Sequence, residues 1–425
     1  MAGARDRVVA EVDALADEAL AFAAELIRIP TVNPPGENYE DCAHAIGAAL
    51  RRADFEVEYL AADDLPEHTP EHPRINVVGS RTGEGRGPVI HLNGHFDVVP
   101  AGEAWTVDPF AATVRDGRLY GRGSGDMKAG IAAALFAAEA IRRAGLRLPG
   151  AIELSGTVDE ESGGFAGVAW LARRGRIAAG RTDYVIIPEP LNVDRICIGH
   201  RGVYWFEVTT LGRVAHGSMP HLGVSAIAHM GAVLEAVRAE LQPALEARQT
   251  RMPVVPPESA RATVNVNGVA GGQPPDALQT PCVADRCRAV FDRRFLIEED
   301  FEDVRAEVVA LLERIAARVA DFRYELRDLM TVHPTQAPEG SPLVWALRRA
   351  IGEVLGRDAA IVASPGTYDQ KHFARIAGVE HCVAYGPGIL ELAHQPDEWC
   401  GVEDIVNATK VIALATVELA GGASH

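Results

Sequence analysis

Basic residues are scarce in this chain. Its 41 Lys and Arg stand against 59 Asp and Glu, a formal net charge of −18 over 425 residues. Polyphosphate binding needs clustered cations, so nucleic acid is not an expected partner. Cysteine is sparse as well. Six residues (Cys42, Cys197, Cys282, Cys287, Cys382, Cys400) occur without a single C-x-x-C pair, which argues against a disulfide scaffold and against a structural zinc knuckle. No long apolar run exists. The longest, AGIAAALFAA over Ala129–Ala138, is too short to span a bilayer. The N-terminal stretch spreads acids through an amphipathic helical pattern, unlike a secretory signal. G-x-S-x-G is missing, which leaves a serine hydrolase without a nucleophile. These absences predict a soluble cytoplasmic protein with a small-molecule substrate and no membrane partner. What remains is ordinary globular material, 48% hydrophobic and 24% charged. At ~150 residues per domain its length suggests two or three domains.

Apolar strand-like runs alternate with helical patterns from about Asn76 to Pro190, through INVVGS, VIHLNGH, AIELSGTVD and DYVIIPEP, with helices over Met127–Ala144 and Gly163–Arg174. That alternation predicts an α/β domain with a mostly parallel sheet flanked by helices. Near Gly199 the character changes. GVYWFEVTTLG alternates like a half-solvated strand, and the order that follows, β-α-β-β-α-β, is that of a ferredoxin-like α+β module. After His333 the α/β pattern returns. The expected organisation is one discontinuous domain, residues 1–200 and 332–425, interrupted by an insert at 201–331.

Several strands run out into acids and imidazoles. VIHLNGHFDVVP delivers His95 and Asp97, whose i, i+2 spacing puts both side chains on one side of an extended segment. AIELSGTVDEESGG ends in Asp159, Glu160 and Glu161; YVIIPEP ends in Glu189; VAYGPGILELAHQPDEW reaches His394. Asp126 lies between the glycine-rich YGRGSG and a helix. One acid at such a place is an ordinary helix cap. Many acids at one rim repel each other unless a cation sits among them, and in open α/β sheets sites form outside the carboxyl ends of the strands. A mixed N/O donor set suits Zn²⁺, Mn²⁺ or Co²⁺. Glu160 and Glu161 are neighbours and cannot both face one ion comfortably. One binds while the other reaches the attacking water, which is hydrolytic chemistry. The rival reading, dinucleotide binding at Gly121, Gly123 and Gly125, is weak: the third glycine arrives one residue early for G-x-G-x-x-G, and no ribose-binding acid follows.

Together GHFDVVP, GRGSGDMKAG, DEESGG, PEP and AHQPDE resemble the co-catalytic zinc hydrolases that include acetylornithine deacetylase, succinyl-diaminopimelate desuccinylase, aminoacylase and glutamate carboxypeptidase. The motifs occur in that family's order, and the resemblance runs from Glu25 to Asp404. It implies two divalent metal ions, zinc first and cobalt or manganese as alternatives. His95 and Glu189 would hold one, Glu161 and His394 the other, and Asp126 would bridge them. Asp97 would orient the His95 ring, and Glu160 would be the general base. The resemblance further implies a homodimer formed through the insert, with His216 reaching the partner's site to stabilise an oxyanion. In the same way Asp292–Arg294 looks like the family's D-x-R, with Arg294 gripping a substrate carboxylate, and Gly366, Thr367 and Tyr368 would line the pocket. Two positions depart from the family pattern: Leu278 stands where Asn is expected, and Tyr368 where Asp is expected. The expected activity is hydrolysis of a C–N bond, in first place the amide of an N-acyl amino acid or small N-acyl amine. Deformylation or deamination of an aromatic or heterocyclic amine is the alternative. A non-catalytic binding protein on the same fold is a more remote one.

Overall fold

A computed structural model describes residues 2–272 and 281–421. In chain order the strands used below are β1 (Glu56–Ala61), β2 (Ile75–Thr82), β3 (Val89–His95), β4 (Ala151–Thr157), β5 (Tyr184–Ile187) and β6 (Arg195–His200). They continue as β7 (Gly202–Leu211), β8 (Thr263–Gly271), β9 (Arg286–Phe295), β10 (Arg323–Val332) and β11 (Cys382–Ala384).

The described chain divides into two compact units. One holds Met1–Gly199, Ala337–Val362 and Tyr368–His425; the other holds His200–Gln336 and Ala363–Thr367. The short segment Ala363–Thr367 joins the second unit through local ties. Ala363 forms a bridge to Val254, and the Arg201 guanidinium donates to the Pro365 carbonyl at 3.1 Å.

In the first unit the strands run in the order β1-β2-β4-β3-β5-β11-β6. The centre is parallel: β3 pairs with β4 and β5, and β5 with β11. The flanking pairs β1–β2, β2–β4 and β11–β6 are antiparallel. The fold is therefore mixed α/β with a mainly parallel central sheet flanked by helices. Central parallel strands are covered on both faces, so VIHLNGH and AIELSGT are buried almost throughout although polar residues alternate along each. The polar side chains pair with one another, His91 Nε2 lying 2.7 Å from Ser155 Oγ, which donates to Asn93 Oδ1 at 2.6 Å. Helix Lys128–Arg143 is buried nearly all round, packed also against helices Ala2–Ile27 and Val402–Ala420. Its Ala-rich sequence permits that closeness. Ile131, Leu135 and Ile141 are buried, each stabilising the fold by ~1.5–3 kcal/mol. The helix packs closely on β3: a Cβ on Gly94 would meet Ile131 Cγ1 at 2.5 Å. This packing seats the N-terminus of the helix, and Asp126 just before it, at the end of β3.

The expected helix over Gly163–Arg174 is shorter, Val168–Arg173. Gly163 and Gly164 take left-handed backbone (φ 114 and 74) and end a single helical turn, Glu160–Ser162, before the true helix starts.

In the second unit β8-β9-β7-β10 form an antiparallel sheet. Helices Ala226–Ala236 and Phe301–Arg318 contribute to its core. Phe206 and Phe291 stack there with ring centroids 4.9 Å apart, beside Val208, Met230, Leu311 and Ile315.

Candidate metal centre

The register of the parallel strands assembles the site. β3 and β4 pair with His95 opposite Thr157, so Asp97 and the Asp159–Glu161 run leave neighbouring strands at the same rim. Glu189 follows β5 by two residues, Asp126 precedes helix Lys128–Arg143, and His394 lies ten residues beyond β11. All belong to the first unit.

Two donor sets result. His95, Asp126 and Glu189 form one, and Asp126, Glu161 and His394 the other, with ligand atoms inside 4.8 Å of one another in each. Asp126 belongs to both. Its Oδ1 is 3.1 Å from His95 Nε2, and its Oδ2 is 3.4 Å from His394 Nε2. His95 Nε2 is 3.9 Å from Glu189 Oε1, and His394 Nε2 is 3.1 Å from Glu161 Oε1.

The electrostatics are those of a cation site. Burial and the Asp126 charge push the Glu161 carboxyl up to about 7, against the pull of His394. Glu189 is raised well above the carboxylate range by the same two causes. Burial opposes protonation of His95, yet its bonds to Asp126 and Asp97 hold its proton affinity well above that of a free imidazole. Hydrogen bonds to Asp126 and Glu161 lift His394 to about 10. Three carboxylates and two imidazoles converge, and the frustration among the carboxylates would vanish with divalent ions between them. The donor set fits two such ions, with two His nitrogens and carboxylate oxygens suited to a borderline metal.

Asp97 does more than face His95. The 3.0 Å bond from His95 Nδ1 goes to the Asp97 backbone carbonyl, while the carboxylate Oδ1 stands at 3.5 Å. The carboxylate instead accepts the backbone N–H of Glu160 at 3.0 Å, that of Glu161 at 3.1 Å, and Asn33 Nδ2 at 2.9 Å. Asp97 thereby locks the turn bearing both glutamates. Asp159, just before them, adopts left-handed backbone (φ 61), a conformation costing a non-glycine residue ~1 kcal/mol or more. Its side chain compensates, accepting from Arg74 Nε at 3.0 Å and Tyr39 Oη at 2.8 Å.

Of the other residues expected at the site, four belong to the second unit and Tyr368 to the first. His216 is exposed in the second unit, with Nδ1 2.8 Å from Ser218 Oγ. Arg294, in the same unit, is held in a fork by Asp292 at 2.8 and 2.9 Å. Gly366 and Thr367 also belong to the second unit. Tyr368 belongs to the first; it is buried, and its hydroxyl donates to the Cys197 carbonyl at 3.3 Å, directing it into the sheet. Leu278 lies outside the described residues.

Three residues around the cluster were not singled out in the sequence. Lys371 Nζ is 3.0 Å from Glu160 Oε1. Glu398 Oε1 accepts the backbone N–H groups of Gly123, Gly125 and Asp126, and its Oε2 pairs with Arg122. Glu398 is the last residue of AHQPDE, so its motif was visible, but its target loop is 272 to 275 positions away. Lys371 had no local signal.

Residues 91–418 match the sequence profile described as Peptidase family M20/M25/M40. The chain belongs to that family. It is 31% identical over 410 residues to a succinyl-diaminopimelate desuccinylase of Methylobacterium radiotolerans, covering 93% of this chain and 95% of the relative. Among solved structures it is similar to the di-peptidase Dug1p of Saccharomyces cerevisiae, with a TM-score of 0.80 at 16% identity and full coverage of both chains. It is also similar to the YXEP protein of Bacillus subtilis, described as a dinuclear metal binding peptidase from the M20 family (TM-score 0.68, 18% identity, 96% and 98% coverage). At such identities the structural likenesses establish the M20 fold. This M20 protein is a metal-dependent hydrolase acting on amide bonds. Among the described residues no helix is long and apolar enough to cross a membrane.

Proposed function

We propose that this M20 hydrolase cleaves the amide of an N-acyl amino acid or small N-acyl amine, consuming one water and releasing a carboxylic acid and an amine. The observation that carries the reading is Asp126, whose two oxygens face two separate His/Glu sets. His95, Glu189 and Asp126 would hold one ion, and Asp126, Glu161 and His394 the other; zinc is the first expectation, cobalt and manganese the alternatives. When bound, the two ions supply Lewis acidity that acidifies water and polarises the acyl carbonyl. Glu160 takes the proton of the attacking water and returns it to the leaving nitrogen as the C–N bond breaks. Asp97 fixes the Glu160–Glu161 turn and backs His95. Arg294 grips the substrate carboxylate once released from Asp292, with Gly366, Thr367 and Tyr368 shaping the surrounding loop. Residues 201–331 serve as lid and dimer-forming domain, placing His216 of each copy at the other's site. The protein works in the cytoplasm.

The relatives named desuccinylases make an N-succinyl amino acid the first substrate to assay, beside N-acetyl, N-formyl and dipeptide substrates. Chelation should abolish turnover, and Zn²⁺, Co²⁺ or Mn²⁺ should restore it. Turnover indifferent to chelator, or elemental analysis without tightly bound transition metal, would overturn the reading. Exclusive turnover of N-formyl heterocycles would move it to deformylation.

A further inference from the structure

We infer that Lys371 is a positioning residue for Glu160: its ammonium holds Oε1 of the carboxylate, leaving Oε2 as the oxygen that carries the proton. The inference rests on the reading of Glu160 as general base.

Lys371 sits on the short helix Gln370–Arg375, whose first four residues are buried. Its side chain is 5% exposed and that of Glu160 11%, and Nζ stands 3.0 Å from Oε1. Among the described residues the Lys371 ammonium makes no other ion pair or hydrogen bond. A lysine near a surface ordinarily carries its charge out to water along its flexible stem. This one ends inside, where removing an ammonium from water costs several kcal/mol unless a partner compensates. The partner is a single oxygen of a single carboxylate.

Glu160 is consequently held at both ends. Its backbone N–H is fixed on Asp97 Oδ1 at 3.0 Å, and its carboxylate is fixed on Lys371. With Oε1 engaged by the ammonium and the backbone held by Asp97, Oε2 is the carboxylate oxygen left to accept a proton. Rigid presentation matters because small misplacements of a reacting group are costly in rate. Asp369, two residues from Lys371, leaves its buried Oδ1 without a hydrogen-bond partner, while the ammonium donates to Glu160 Oε1.

The test separates positioning from general structural support. Lys371→Met should lower kcat about 10- to 100-fold, the range for a misplaced catalytic group, with KM and bound zinc unchanged. Lys371→Arg, which keeps a charged donor, should recover most of the loss. A crystal structure of zinc-loaded Lys371→Met should show the Glu160 carboxylate in more than one orientation with both ions in place. In a Glu160→Gln background, Lys371→Met should have no further effect on kcat. Should Lys371→Met fail to fold, Lys371→Gln, polar but too short to reach Oε1, takes its place in each measurement. A Glu160→Gln enzyme with full activity would overturn the reading of Glu160 itself. An inactive Glu160→Gln beside a fully active Lys371→Met, or an equal loss in both backgrounds, would overturn the role of Lys371 and leave that of Glu160 standing.

Discussion

Arg122 Nη1 and Glu398 Oε2 meet at 2.5 Å, with both side chains almost wholly buried, and so tie the loop bearing Asp126 to the loop bearing His394. Glu398 Oε1 also accepts three backbone N–H groups from Gly123, Gly125 and Asp126, at 3.1, 2.8 and 3.1 Å. Arg122 donates in addition to the His394 carbonyl at 3.2 Å. Glu398→Ala would strand a buried guanidinium and three amide donors together. The expected cost is about 3–5 kcal/mol of stability, with zinc held about 10- to 100-fold more weakly. Urea unfolding and zinc titration check this; a variant with unaltered zinc affinity would show that the clamp does not set the position of Asp126.

Glu160 and Glu161 are adjacent, yet their expected roles differ. Glu160→Ala should lower kcat by about 10²–10⁴, the range for general acid–base catalysis, with metal content near normal. Glu161→Ala should lose metal instead, since Glu161 faces His394 at 3.1 Å. Metal analysis beside steady-state kinetics tests the pair. The opposite pattern would reverse the assignment of base and ligand.

Glu153 predicts an acid limb in stability that does not involve the metal centre. Burial alone would raise its carboxyl, but hydrogen bonds from His91 at 3.1 Å and Arg176 at 2.8 Å bring it down to about 2. A carboxyl depressed on folding stabilises the native state above its unfolded pKa of about 4.3, and this contribution fades as pH falls through the folded value. The effect is of order 3 kcal/mol. Glu153→Gln should therefore be less stable at neutral pH, with a smaller further loss between about pH 4.5 and 2. Urea midpoints across that range decide it: parallel curves for the two proteins would rule the linkage out.

His216 is exposed in the second unit, and its proposed partner is the site of another copy. His216→Ala should keep metal and dimer while losing ~10²–10³ in kcat, the size seen for one lost oxyanion donor. Mixing it with Glu160→Ala should yield heterodimers with one intact composite site and partial return of activity. No recovery from verified heterodimers would remove the role in trans.

Four of the five donors were legible because each stands at or just beyond the end of a strand or beside a helix start, where local pattern is informative; His394, ten residues beyond β11, was legible through its motif AHQPDE. His95 and Asp97 show the i, i+2 spacing; Glu161 and Glu189 follow apolar runs; Asp126 precedes a helix. The central sheet was legible because short strand-like segments alternate with helical patterns along the chain. The helix over Gly163–Arg174 was read too long because helical propensity says little about two successive glycines adopting left-handed backbone.

The sequence by itself determined the residue types at the rim and the family to which they belong. Only the tertiary structure decided how the Asp97 carboxylate is used, divided between two backbone amides and Asn33 rather than spent on His95 alone. It likewise decided that Lys371 meets Glu160 across 211 positions, and that Glu398 organises the loop before Asp126 across 272. The physical reason is range. Periodicity and capping report interactions within a few residues along the chain, whereas a buried charge finds its partner through strand register and helix packing, which no local pattern encodes.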